Sequence, residues 1–200
     1  MNRIITIGRE FGSGGRELGR RLAEKLQIAY YDQEIITEIS KRTELSEQYV
    51  QQVVEHHPIS SFPIHIGRSF QYPAMNPVMQ QQQSIYMEQS RMIRELAEKS
   101  DCVIVGRCAD YILSALQPFR IFVYADMDSK IRRCMEKGEE QEPLTERELK
   151  KYIVNIDRNR AKYYNFYTNQ KWGDKLNYDL CINTTGIQIK EIVSVMEKIF

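Results

Sequence analysis

The chain has 200 residues, 42% hydrophobic and 28% charged, a mixture that suits a single soluble globular domain and excludes general disorder. Lys and Arg (28) nearly cancel Asp and Glu (27), so a net charge of +1 excludes a whole-molecule basic field for gripping nucleic acid or anionic lipid. No apolar run approaches the roughly 20 residues of a spanning helix, and the start carries no cleavable export pattern, so no membrane association and a cytoplasmic location are expected.

In chain order, the β-branched run Ile4-Ile5-Thr6-Ile7 reads as a strand ended by Gly8. Leu18, Leu22 and Leu26 recur at i, i+4, i+8 and predict a helix over Gly15 to Gln27. Residues 28–31 read as a second strand, after which Asp32 is expected to cap a helix through Ile35, Ile36 and Ile39. A short helical stretch opens at Ser46. From His56 to Pro77 the periodicity dissolves around Pro58, Pro63, Pro73 and Pro77, which predicts an insert. A helix follows over 78–99, strands over 102–105, 120–124 and 178–182, and helices over 128–137, 145–169 and 187–199.

Alternating helices and near-continuous apolar strands predict an α/β fold, with a parallel sheet covered on both faces. Such sheets bind ligands at the carboxyl ends of their strands. The residues to watch are therefore Gly8–Arg16, Asp32, Gly106–Asp110 and Asp126–Ser129. Cys102, Cys108, Cys134 and Cys181 form no metal-ligand spacing and read as reduced, mostly buried thiols. His56, His57 and His65 lie in the proline-rich insert with no ligand set around them.

The strongest local signal is GREFGSGGRELG, Gly8 to Gly19, running out of the first strand into the first helix. Gly12, Gly14 and Gly15 leave backbone N–H groups free to surround phosphate oxygens, with Ser13 between them and the helix N-terminus adding partial positive charge. Arg16 follows as a cation for the outer phosphates. Against the phosphate-loop pattern GxxxxGK[ST], Gly15-Arg16 stands for Gly-Lys, Glu10 for the first glycine and Glu17 for Ser/Thr. The dinucleotide pattern GxGxxG fits less well, because Glu17 falls on its last glycine.

GREFGSGGRELGRRLAEKL followed by YYDQEII resembles the amino-terminal signature of the cytidylate kinase-like family of P-loop proteins. VIVGRCADYIL, PFRIFVYADMDSKIRRCM, IDRNRAKYY and NYDLCINTTGI are similar to later segments of the same family, in the same order. The resemblance implies a single P-loop kinase domain over 1–200, a three-layer sandwich on a five-stranded parallel sheet. A monophosphate-binding insert is implied at about 44–77 and a helical lid at about 136–160. The implied reaction is phosphoryl transfer from ATP, with Mg²⁺, to a nucleoside monophosphate, CMP or dCMP first.

By matched position, Gly12 to Arg16 cradle the donor phosphates, with Glu17 beside them. Arg107 holds the acceptor phosphate, Asp157 the sugar hydroxyls and Arg160 the transferring phosphates, while Arg133 and Arg158 lie toward the donor nucleotide. Arg16, Arg107 and Arg160 form the implied catalytic set, as arginine forks match phosphate oxygens and stay charged in a closed site. Glu17 and Asp32 are the nearest carboxylates for Mg²⁺. The chain departs from the family at Arg16 (lysine), Leu18 (threonine), Cys108 (aspartate, with Asp110 as the substitute) and Ile153 (arginine). The base-reading set is incomplete, so other phosphorylated acceptors, or a nucleotide-binding regulator with weak catalysis, are alternatives.

Arg158, Arg160 and Lys162 precede aromatic residues, a pattern that single-stranded nucleic acid can use. On a helix, however, Arg158 and Arg160 lie about 200° apart, so a half-buried helix with a charged face is the simpler reading.

Overall fold

A computed structural model describes residues 2–56, 77–137 and 144–200. Five strands, β1 (Ile4–Arg9), β2 (Ala29–Tyr31), β3 (Cys102–Val105), β4 (Phe119–Tyr124) and β5 (Leu180–Asn183), form one parallel sheet in the order β2-β3-β1-β4-β5. β1 lies at the centre, pairing Ile4 with Cys102 on one side and Ile5 with Phe119 on the other. Its position explains its composition: both faces of Ile4-Ile5-Thr6-Ile7 are buried, as are all four residues of β3.

On one face, α1 (Gly15–Leu26) and α8 (Ile189–Met196) cover Ile5, Ile7, Val103 and Val105 through Leu18, Leu22 and Val193. Gly19 lets α1 approach closely, since a Cβ there would stand 3.0 Å from both Ile7 and Val105. On the other face, α2 (Glu34–Thr43), α3 (Glu47–His56), α4 (Pro77–Lys99), the short α5 (Ala109–Ile112) and α7 (Glu146–Thr168) enclose Ile4, Ile104, Ile39, Ile85 and Ile93. α6 (Met127–Lys137) packs with α7 around Ile131, Leu149 and Ile153.

The predicted elements recur with small shifts. β1 runs on through Gly8 and Arg9, and the last strand begins at Leu180. α7 starts at a capping box, with the Thr145 amide donating to Glu148 Oε2 (3.0 Å) and the Glu148 amide to Thr145 Oγ1. Asp32 is not the helix cap expected of it: Gln33 holds the N-cap position, and the Asp32 side chain turns to arginines instead. None of the four cysteines is in a disulfide. No helix among the described residues is long and apolar enough to cross a membrane. Of the expected insert, α3 is described and 57–76, with His57 and His65, lie outside the described residues, as do 138–143 of the expected lid.

Candidate active site

β1 delivers the glycine loop to the centre of the carboxyl edge of the sheet. Gly14, at φ 82°, is the N-cap of α1 without a side-chain cap, a left-handed position that glycine takes without strain. Among the described residues, the amides of Gly12, Gly14, Gly15 and Arg16 have no acceptor. The loop is held from outside. Ser13 Oγ donates to the Glu10 carbonyl at 2.8 Å, and buried Thr184 Oγ1 donates to the Ser13 carbonyl at 2.7 Å. Phe11 donates its amide to Asp157 Oδ1 at 2.7 Å. Four free amides around a rigid loop form an anion cradle.

Beside the cradle stands a group of arginines. Arg9 is 8% exposed, with Nη2 3.7 Å from Asp32 Oδ1. Arg160 Nη1 donates to the Arg9 carbonyl at 3.5 Å, and its guanidinium lies 5.6 Å from the Phe11 ring centre. Burial, then the neighbouring Arg160, pushes Arg9 down to about 9; Arg107 and Arg16 act in the same direction and Asp32 opposes them. Among the described residues, Asp32 faces both Arg9 and Arg16 and Asp157 lies 3.8 Å from Arg160 Nη1, and the mutual repulsion of these crowded cations favours an anion between them.

Arg9, Arg107 and Arg160 line one cavity with Asp110, Tyr163, Tyr164, Trp172 and Tyr178. Tyr164 Oη donates to Asp110 Oδ2 at 2.6 Å, yet burial outweighs that bond and raises the Asp110 carboxyl above its ordinary range. Phe122 supports the aromatic wall edge-on to Trp172, with ring centres 5.3 Å apart. The cavity leaves about 40 Å³, room for roughly three waters, so a nucleotide-sized acceptor requires the wall to open. A larger groove of about 770 Å³ is lined, among the described residues, by α4 side chains and gathers no strand-end residue.

The turn that presents Arg107 is unusual. Gly106, Arg107 and Cys108 all have positive φ, at 73°, 60° and 55°. Two non-glycine residues held in this region cost on the order of 1–2 kcal/mol each. Gln89 Nε2 secures the turn by donating to the Arg107 carbonyl at 3.0 Å.

The remaining expected residues divide. Arg133 lies beside Gly14, donating through Nη2 to the Thr184 and Ile187 carbonyls, while its buried Nη1 has no hydrogen-bond partner. Arg16 is half-exposed, with Nε on Asp32 Oδ2 at 2.5 Å. Asp157, expected on sugar hydroxyls, has Oδ1 on the Phe11 amide and Oδ2 3.2 Å from Lys130 Nζ. Arg158 is exposed on α7. Of the expected metal carboxylates, Glu17 pairs with Arg21 at 2.9 Å, whereas Asp32 keeps a buried Oδ1 without a hydrogen bond. Among the described residues, no three His, Cys, Asp or Glu side chains converge as a ready cation site.

Arg9 and Glu10 fall within the strand-end stretch expected to carry function but without a role of their own, and Lys130 lies outside every expected site. Lys130 Nζ is buried between Glu10 (2.7 Å) and Asp157 (3.2 Å). For Arg9 a signal existed: carrying the strand alternation two residues past Ile7 puts it on the face of Ile5 and Ile7, under the start of α1.

Comparisons with known proteins agree with this arrangement. A crystal structure of an uncharacterized protein from Eubacterium ventriosum ATCC 27560 is 30% identical, with 98% of this chain and 97% of that chain covered and a TM-score of 0.68. Shikimate kinase from Bacteroides thetaiotaomicron is 17% identical over 100% of this chain and 98% of its own, with a TM-score of 0.58. Shikimate kinase from Acinetobacter baumannii is 12% identical over 100% and 92%, with a TM-score of 0.53. At such identities these enzymes show the fold alone, which is the P-loop kinase fold. No curated protein matches the chain. The model of the cytidylate kinase-like family matches residues 4–186, and with the loop, the strand-end arginines and the sheet order all in place, the chain belongs to that family.

Proposed function

We propose that the protein is an ATP-dependent phosphotransferase whose acceptor is a small phosphorylated molecule, a pyrimidine nucleoside monophosphate such as CMP or dCMP before others. The observation that carries this reading is the convergence of buried Arg9 and Arg107 with Arg160 on one cavity beside four unused loop amides. The cradle fits a polyphosphate. Asp32 Oδ1 would hold Mg²⁺, which takes most of its oxygens from phosphate and water and so needs few protein ligands. When bound, ATP with Mg²⁺ supplies the transferable group and part of the charge neutralisation.

The chain's own residues then position and stabilise. The amides of Gly12, Gly14, Gly15 and Arg16 bind the donor phosphates, and Arg133 lies toward the donor nucleotide. Arg107 and Arg160 orient the acceptor phosphate, Asp110 reads the acceptor's polar edge, and the Tyr163–Tyr164–Trp172–Tyr178 wall excludes water that would compete as acceptor. Asp157 acts as an anchor of the loop. Residues 44–77 serve as the acceptor-side insert and 136–160 as the lid.

ADP release over a panel of nucleoside monophosphates tests the proposal. Turnover with CMP supports the first-choice acceptor; turnover only with another phosphorylated metabolite redirects it; no turnover with any acceptor removes the enzyme. A second reading, a nucleotide-binding regulator, is favoured by Arg16 being tied to Asp32, and ATP binding without turnover would select it.

A further inference from the structure

We propose that Arg9, rather than Arg16, is the cation that meets the transferring phosphoryl group, a role that rests on the phosphotransferase reading above. The loop pattern puts a long cation immediately after its last glycine, but Arg16 lies half-exposed with its Nε on Asp32. Gly15, the first residue of α1, has no side chain to offer. A Cβ there would stand 2.5 Å from Arg9 Cβ and 3.2 Å from Arg9 Cγ, so the stem of Arg9 fills the place beside the cradle where a side chain on Gly15 would begin.

From there the stem runs across the carboxyl edge of the sheet. Its far end reaches the turn after β3, where a Cβ on Gly106 would overlap Arg9 Nη1. Two backbone positions without side chains, one at the start of α1 and one just after β3, thus accommodate one arginine. The guanidinium ends among Asp32, Arg107 and Arg160 and lines the acceptor cavity, while its stem borders the donor cradle. Arg9 therefore spans the interval between donor and acceptor, where the phosphoryl group has to pass.

In that step an oxygen of the acceptor phosphate attacks the terminal phosphorus of ATP. The bond from that phosphorus to the bridging oxygen breaks, and its electron pair leaves with ADP. A fully ionised acceptor phosphate has no proton to lose, so Arg9 transfers none; its fork stabilises the three non-bridging oxygens in flight. Asp32 Oδ1 lies 3.7 Å from Arg9 Nη2 and makes no hydrogen bond to it, so the guanidinium keeps its fork for the phosphates.

Calorimetric titration with inorganic tripolyphosphate, alongside thermal melting to confirm folding, tests this. The wild-type protein is expected to bind, Arg9→Met to bind at least about 30-fold more weakly, Arg9→Lys to recover part of that loss, and Arg16→Met to lose less than Arg9→Met. In turnover with ATP and the best acceptor, Arg9→Met should lower kcat by more than it raises the KM for ATP. Wild-type binding in Arg9→Met, or a larger loss in Arg16→Met, overturns the assignment and leaves the phosphotransferase reading standing. A wild-type protein that ignores tripolyphosphate overturns both. If Arg9→Met does not fold, Arg9→Lys decides, because undiminished tripolyphosphate affinity without the guanidinium fork would overturn the role.

Discussion

The Asp157 carboxylate on α7 accepts the amide of Phe11 in the glycine loop at 2.7 Å, so the helix that lines the acceptor cavity also fixes the donor cradle. Its other oxygen faces Lys130, which in turn meets Glu10. Burial raises the Asp157 carboxyl above its ordinary range, while Phe11 and Lys130 pull it back. Asp157→Asn keeps the shape and removes the charge, leaving buried Lys130 with Glu10. The expected loss is about 2–3 kcal/mol of unfolding free energy, read by urea titration, with ATP affinity falling about tenfold. A loss below about 0.5 kcal/mol would show that the contact does not hold the loop.

Gly106→Ala places a methyl group against Arg9 at a backbone position with φ +73°. Both effects act together, and a loss of about 2 kcal/mol or more is expected. The variant should still melt cooperatively but bind tripolyphosphate more weakly, because Arg9 has to leave its track.

Arg120 joins the starts of β4 and β5 by donating through Nη2 to Asp179 Oδ1 at 2.8 Å, through Nε to Oδ2 at 3.1 Å, and through its amide to Oδ2 at 2.8 Å. The Arg120 side-chain bond is the main cause holding the Asp179 carboxyl below its ordinary range. A carboxylate lowered by folding contributes stability above its unfolded value of about 3.9, and that stability is lost as pH falls through the lower folded value. Because the pair is about one-third exposed, the contribution is on the order of 1 kcal/mol. Asp179→Asn should therefore be less stable than wild type at pH 7, with the difference shrinking below about pH 4. A gap that stays constant down to pH 2 would contradict the linkage.

Tyr164→Phe removes the hydrogen bond that restrains the already raised Asp110. The Asp110 carboxyl then moves further up. A group raised by folding favours the folded state below its unfolded value and loses that advantage as pH rises through the folded one. The variant should lose about 1–3 kcal/mol at pH 7 and less near pH 3, below the ordinary Asp value of about 3.9, where the carboxyl is largely protonated in both states. Equal losses at the two pH values would count against a charged Asp110 in the folded protein.

The sheet and its helices were legible because apolar periodicity survives burial: Ile4 to Ile7, Cys102 to Val105 and the Leu18–Leu22 stripe occupy the core their spacing predicts. The free loop amides also follow from glycine spacing. The partners of the charged side chains were not legible. Asp32 looked like a helix cap because the residue type fits, but two arginines delivered by β1 and α1 outbid the local amides. Lys130 and Asp157 meet only after α6 and α7 have packed on the loop, a contact between distant segments that no local spacing encodes. Arg9 belongs to the strand-end stretch that the sequence singles out, but its track across the sheet edge depends on Gly15 and Gly106, which no local spacing brings together.

The central place of β1 has a consequence for how the chain acquires its structure. Ile4 finds its lateral neighbour only when Cys102 has been made, and Ile5 waits for Phe119. Closing such long loops before any contact rewards them slows folding. The opening segment, with its unpaired edge groups, therefore spends much of synthesis exposed, and fast mixing experiments should find it among the last parts to gain protection from amide exchange.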